Sequence, residues 1–326
     1  MKPIHNKIKF AIGILVIATI VISCLPKQES MGGAGQTLVK LFPSVYNLLP
    51  FDAITTPQTG ILFEVRRDIP SNAALNTTTT VVLKYDADTA IMNHYNSVNG
   101  TSYEPLPAEL GTVTPAITNG IMTINMAAGD FSQSITVNVP SAGNFDFSKH
   151  YALAFCVQSV SGTGTLSAGV NDTILCEVLA KNQWDGVYTV TGSFVDYVTT
   201  AWIGYYPKTV QLQTSGSQTC NKYDADFGIY GYIFNTDNSG TSQSYFGNWT
   251  PAFSFDANNN VNVFNTTVDP LPRQRTAVLY TGDGAASNKY DPATKSMDVS
   301  YQMSQLTVSP VLRNLIIEHY AYKGPR

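Results

Sequence analysis

Apolar positions in this chain follow two patterns. They crowd into one stretch, Phe10 to Ile22, and from residue 37 onward they recur only in short runs broken by Gly, Pro, Asn and Asp. The short runs are rich in β-branched and aromatic residues and partly alternate with polar ones, which predicts strands. In the first half these are Thr80–Tyr85, Ile121–Met126, Ser134–Val139 and Tyr151–Val157, punctuated by Gly129-Asp130, Pro140 to Asn144 and Gly162 to Gly169. One segment switches to helical spacing: Ile91, Tyr95 and Val98 recur on one face, Asp86 or Asp88 can cap the start, and Gly100 ends it. Seven or so strands over residues 37–181 predict an immunoglobulin-like sandwich with one short helix.

A second β pattern begins after Lys181-Asn182-Gln183 and fills 183–326. It opens with Trp184-Asp185-Gly186-Val187-Tyr188 and continues through about eight runs, among them Thr209–Gln213, Ile229–Phe234, Ala252–Phe255, Val261–Phe264, Ala277–Tyr280, Met297–Tyr301 and Leu315–Tyr322. Asp256 to Asn260 reads as a hairpin turn, since Asn and Asp tolerate left-handed backbone. Short antiparallel strands without a helix predict a lipocalin-like up-and-down barrel, with a two-sheet sandwich as the alternative. The whole chain therefore reads as all-β in two domains.

The apolar stretch at the start has a separate meaning. Lys2, Lys7 and Lys9 precede it, it is 13 residues long, and it closes on Val21-Ile22-Ser23-Cys24. That is the layout of a secretory signal, and it is shorter than the roughly 20 residues a permanent membrane span requires. Val-Ile-Ser-Cys resembles the bacterial lipobox, which implies cleavage after residue 23 and lipidation of Cys24. Acyl chains contribute about 0.8 kcal/mol per buried methylene, so several together anchor a soluble domain durably. Residues 24–36 read as a tether of Gly and polar residues. The expected location is the outer membrane, lipid-anchored, on the cell-surface side.

Charge changes the picture by exclusion. Loss of residues 1–23 removes three lysines and no acid, leaving 16 basic and 23 acidic residues, a net of −7. An acidic chain does not offer the basic face that nucleic acid requires. Beyond the signal the only histidines are His94, His150 and His319, far apart and without ligand-spaced partners, so no metal site or cofactor is implied. No nucleophile elbow, phosphate loop, dinucleotide fingerprint or His-Glu-x-x-His occurs. A glycosidase needs two carboxylates across a cleft. Asp224 with Asp226, and Asp283 with Asp291, are the acids to weigh, and both pairs read better as turn or solvation residues. The expectation is a protein without catalytic residues.

Cys156 and Cys176 flank a loop centred on residue 166, so a hairpin there sets the thiols opposite each other, near disulfide range. Two buried thiols acting as small apolar side chains are the alternative.

The order Tyr85-Asp86, Tyr95-Asn96, Asn99-Gly100, Tyr103 and Leu106-Pro107, followed by Gly129 before a strand and Tyr151-Ala152-Leu153, resembles the domain of unknown function 1735 over residues 50–181. That domain is typical of Bacteroidetes lipoproteins encoded beside polysaccharide-utilisation (Sus-like) systems. The second domain is similar to the β-rich C-terminal domains that accompany it. The resemblance implies a glycan context; on the separate assembly reading, the protein partner would be an outer-membrane transporter complex.

Aromatic residues are the concentrated resource. All three tryptophans lie in the second domain. Flat rings bind the apolar C–H faces of pyranoses, while amides and hydroxyls take the sugar hydroxyls. Trp202, Tyr205 and Tyr206, interrupted by Gly204 and Pro207, and Tyr245 with Trp249 are the candidates for stacking on a glycan. In an extended backbone Trp202 and Tyr206 share one face, with Gly204 leaving room between them. Trp184 and Tyr188, in the opening strand, read as core. The expected function is non-catalytic capture of a polysaccharide or oligosaccharide at the cell surface. Adhesion or assembly through a protein partner, and a glycoside hydrolase with an unrecognised acid pair, are the alternatives.

Overall fold

The computed structural model describes residues 35–167 and 172–326, so the signal, Cys24 and most of the tether lie outside the described residues. The chain is nearly all β. In the first half two sheets face each other as a sandwich. One runs in the order Thr165–Leu166, Leu38–Phe42, Gln58–Asp68, Ser132–Val139, Thr112–Thr114. The other runs Val45–Asp52, Thr173–Lys181, His150–Gly162, Thr79–Tyr85, Ile121–Met126. Alternation decides which side chains enter the core: Met122, Ile124 and Met126 point inward while Thr123 and Asn125 face water. The register sets Val81 opposite Ile124 and Leu83 opposite Met122, so the inward positions of neighbouring strands pack together. Each such side chain contributes about 1.5–3 kcal/mol on full burial.

The helix is present as Ala90–Asn99. Asp86 accepts hydrogen bonds from the backbone N–H of Ile91 (3.1 Å) and Met92 (2.9 Å), and Gly100 closes the helix with φ of 65°. Its packed face keeps Tyr95 of the predicted stripe but shifts off Val98 and onto Met92. Met92 is the buried residue and Val98 is exposed, because the helix lies on the outer surface of a sheet against Ala152 and Leu175 and contacts it along a narrow strip. The predicted Cys156–Cys176 disulfide does not form, and both cysteines are free. The ladder sets Cys156 opposite Thr173 and Cys176 opposite Leu153. The thiols are thus three positions out of register, on opposite faces of the sheet.

The second half is a nearly closed antiparallel barrel. Its strands follow the order Val261–Asn265, Pro251–Phe255, Thr219–Asp224, Lys208–Gly216, Gly186–Asp196, Asn314–Gly324, Ser296–Gln305, Arg275–Leu279. The two edges meet where Asn265 Nδ2 donates to the Arg275 carbonyl at 3.0 Å and where Asn260 bridges to Lys289. The barrel therefore replaces the sandwich alternative. The turn at 256–260 forms as its composition predicts. Asn259 has φ of 61°, and the Asp256 carboxylate accepts from the N–H of Asn258 (2.8 Å) and Asn260 (2.9 Å).

One predicted strand is divided. Ile229–Tyr230 folds back on Thr219–Asp224, while Ile233–Asn235 joins Ile203–Gly204 and Gln243–Tyr245 in a separate three-stranded sheet. The break at Gly231-Tyr232 turns the Tyr232 ring into the barrel, where it is fully buried.

Among the described residues, no strand before Lys181 pairs with one after Gly186, and the apolar cores are separate, one within 39–180 and one within 184–320. The chain enters the barrel at one end. There Asn182 Nδ2 donates to the carbonyls of Gly216 (3.0 Å) and Thr219 (2.8 Å), Trp184 stacks on Phe255 at 4.2 Å, and Arg326 pairs with Asp185 at 2.9 Å. The three-stranded sheet covers the other end, where Phe194 stacks on Phe234 at 5.6 Å and on Tyr232 at 5.3 Å.

Candidate functional site

The covered end of the barrel carries a cavity of about 320 Å³ with Trp202, Tyr245, Phe246, Arg273, Arg275 and Arg313 in its wall. Three parts of the fold converge to make it. Gln243–Tyr245 ends with Tyr245 turned to solvent and Phe246 turned into the core, as alternation requires. Arg275 begins its barrel strand, and Arg313 immediately precedes the strand Asn314–Gly324. The loop Pro270-Leu271-Pro272 brings Arg273 to the rim.

Two of the three arginines are committed to neighbours. Arg275 donates to Asp269 through Nε (2.9 Å) and Nη2 (3.1 Å) and also to the Phe246 carbonyl. These hydrogen bonds hold the Asp269 carboxyl down to about 2. Arg313 pairs with Asp196 at 3.0 Å and stands 5.4 Å from the Trp202 ring and 5.8 Å from that of Phe246. Arg273 is exposed and makes no ion pair or hydrogen bond with the described residues. The wall thus joins flat apolar rings to a set of N–H donors, and it contains no carboxylate.

The five stacking candidates separate. Trp202 and Tyr245 line the cavity. Tyr245 is 55% exposed and makes no aromatic contact with the described residues, so its ring is free on the surface. Trp202 is half-buried, stacked on Phe234 at 4.6 Å. Tyr205 lies outside this wall, packed edge-on against Phe227 at 5.2 Å.

Tyr206 does not share a face with Trp202. Its ring folds back over Gly204, where a Cβ would come within 2.4 Å of it, and its hydroxyl reaches inward to Tyr232 (2.8 Å) and Glu318 (2.9 Å). The glycine therefore accommodates the tyrosine itself rather than a sugar. Trp249 is corrected to the core: it is 0% exposed and its indole N–H donates to the Thr276 carbonyl at 3.1 Å. A ring enclosed on every side cannot stack on an external ligand.

Sequence reasoning missed the arginines as a group, because the Arg273–Arg275 segment and Arg313 come together only in the fold. It also missed a charged cluster inside the barrel. The Glu318 carboxylate accepts from Lys222 Nζ (2.9 Å), Tyr301 (2.8 Å), Tyr320 (2.8 Å) and Tyr206, and Lys208 Nζ lies 3.2 Å away. Glu318, Lys208, Lys222, Tyr301 and Tyr320 are fully buried. Burial alone would raise the Glu318 pKa, but the Lys222 and Lys208 ammonium groups hold it well below the usual carboxylate range. Desolvation pushes Lys222 down, and the neighbouring Lys208 adds to that. A signal for this cluster did exist: Lys208, Lys222 and Glu318 each occupy the inward register of their strand, with the apolar Val210, Cys220 and Ile316 two positions away on the same face.

Of the acids weighed as catalytic pairs, Asp224, Asp226 and Asp291 hold groups of nearby loops. Asp224 accepts from the N–H of Asp226 and Phe227, Asp226 accepts from Thr209 N–H at 2.8 Å, and Asp291 holds the Thr294 hydroxyl at 2.7 Å. A second cavity, about 370 Å³, lies at the junction beside His150, Glu177 and Arg326, where the Tyr46 and Tyr103 hydroxyls both donate to one Glu177 oxygen and His150 Nδ1 lies 3.4 Å from the other. Among the described residues no helix is long and apolar enough to cross a membrane.

Comparison with known proteins places the fold. The model of a family of N-terminal domains matches residues 46–164. No curated protein matches the chain. A solved structure of a protein of unknown function from Bacteroides ovatus is similar to this chain with a TM-score of 0.54 at 12% identity, over 89% of this chain and 95% of that one. A multidomain protein including the domain of unknown function 1735, also from Bacteroides ovatus, aligns at 11% identity and a TM-score of 0.44, over 87% and 92%. An auxiliary nutrient binding protein from Bacteroides thetaiotaomicron aligns at 15% and 0.42, over 90% and 92%. The first of these extends along almost the full length of both chains, so the sandwich-plus-barrel arrangement is shared as a unit.

Proposed function

We propose that this protein is a non-catalytic, lipid-anchored outer-membrane protein that captures a glycan at the cell surface through the covered end of its barrel. The observation that carries the reading is the cavity there, where the exposed Tyr245 ring and the edge of Trp202 adjoin converging side-chain donors. Rings supply a platform for a pyranose face and the donors take its oxygens. The cavity also sits at the end of the barrel away from the chain's entry point, so a tether at Cys24 leaves it facing outward. The sandwich then acts as the membrane-proximal spacer, and a transporter complex is the natural recipient of a captured glycan.

Tyr245→Ala is the direct test. Removing one stacking contact costs on the order of 1–2 kcal/mol, about ten-fold or more in affinity on a glycan array or by calorimetry. The melting temperature should stay within about 2 °C of the parent, since substitutions at exposed positions cost about 0.5 kcal/mol or less. Undiminished binding by the variant would remove this cavity as the site.

The anchor has its own test. Cys24→Ala should release the protein from the membrane fraction or leave the precursor uncleaved, read by fractionation and mass spectrometry. An acylated, shortened variant that still pellets with membranes would overturn the assignment.

A further inference from the structure

The wall of this cavity is one-sided in charge. Three of the chain's six arginines converge on it, and no aspartate or glutamate lines it. A guanidinium has five N–H donors and no acceptor. A neutral sugar offers mostly hydroxyls, which are best held by sites that mix carboxylate or amide acceptors with donors. Here the neutral acceptors are Gln305 and Ser244, while the nearby carboxylates are taken, Asp269 by Arg275 and Asp196 by Arg313. The three guanidinium groups and these two carboxylates leave a local surplus of one positive charge, on a mature chain that is otherwise acidic.

That surplus resides on Arg273. It stands at the exposed rim, beside Tyr245 in the same wall, with no ion pair or hydrogen bond to the described residues. Arg275 and Arg313 have their geometry fixed by their carboxylate partners, whereas the Arg273 fork is available for a planar or tetrahedral anion.

We propose that the glycan held at this site is acidic, with a sugar carboxylate or sulfate taken by Arg273 while Tyr245 stacks on the ring that bears it. The inference rests on the glycan reading above and deepens it by naming the ligand's charge. The carboxylate and the sulfate present the same chemistry, anionic oxygens on a pyranose, and the two are separated by choice of probe.

The experiment is binding of the purified protein to polygalacturonate (carboxylate), carrageenan (sulfate) and a neutral galactan, with Arg273→Gln beside the parent. At least one acidic polymer should bind about ten-fold or more tightly than galactan, and more weakly as salt is raised. Arg273→Gln should lose about ten-fold for that polymer, with the melting temperature unchanged. Which polymer responds identifies the anion.

Binding to galactan that equals or exceeds both acidic polymers, or acidic binding indifferent to Arg273→Gln, would overturn the charge inference and leave glycan capture standing. Should none of these polymers bind, the charge inference fails. If neutral and acidic glycans across a broad array are equally silent, the glycan reading fails with it.

Discussion

Glu318→Gln should lower the melting temperature of the barrel by roughly 10 °C. The carboxylate is the shared counter-ion of two fully buried ammonium groups, Lys222 at 2.9 Å and Lys208 at 3.2 Å, and it accepts hydrogen bonds from three tyrosine hydroxyls. Glutamine keeps the shape and removes the charge, so Lys208 and Lys222 must either stay charged without a counter-ion in a dry interior or give up a proton. Breaking a buried pair in this way costs about 3–5 kcal/mol.

The same site makes a pH-dependent contribution of definite sign. Because the folded-state pKa of Glu318 lies below the unfolded one, its stabilisation is fully present above the ordinary glutamate range and is lost as pH falls through and below it. Thermal melts across an acid series should show this loss in the parent and a flatter acid flank in Glu318→Gln. A variant melting within about 2 °C of the parent would mean the cluster is hydrated rather than dry.

Trp249→Ala is the second large effect expected. Its indole is enclosed by Tyr232 (6.0 Å), Phe246 (5.7 Å) and Tyr301 (6.1 Å), and its N–H satisfies the Thr276 carbonyl. Truncation opens a cavity and leaves that carbonyl unpaired, at a cost of about 3–5 kcal/mol. The midpoint of denaturant unfolding should fall accordingly and the near-ultraviolet circular dichroism should change. Tyr245→Ala, four residues earlier, should do neither and act on binding alone. A Trp249→Ala protein of parental stability that has lost its ligand would return Trp249 to the site.

Within five residues, then, Tyr245, Phe246 and Trp249 divide between surface and core, and composition offers no way to tell them apart. Tyr245 ends a three-residue strand with its ring outward, and Phe246 and Trp249 turn inward beneath it. Two aromatic residues in sequence are equivalent until a neighbouring sheet occupies one face. Trp202 and Tyr206 make the same point: Gly204 looks like space for a ligand, and the Tyr206 ring fills it because Glu318, 112 residues later, offers a hydrogen-bond acceptor inside.

What the sequence determined by itself is what depends on near neighbours. Period-two alternation sets Met122, Ile124 and Met126 inward whatever they pack against. Asp86 and Gly100 bound a helix through bonds a few residues away, and Asp256 with Asn259 makes its turn from its own side chains. Strand identity and the all-β class follow, since these are contests between local backbone states. Tertiary structure alone decided three things. Barrel closure rests on contacts such as Asn265 with Arg275, which join strands at opposite edges of one sheet. The register that sets Cys156 opposite Thr173 is fixed by which positions of the two strands meet across the sheet. The cavity wall assembles Trp202, Tyr245, Arg273 and Arg313 from four separate segments. In each case the deciding energy lies in contacts between residues far apart along the chain, whose pairing no local spacing encodes.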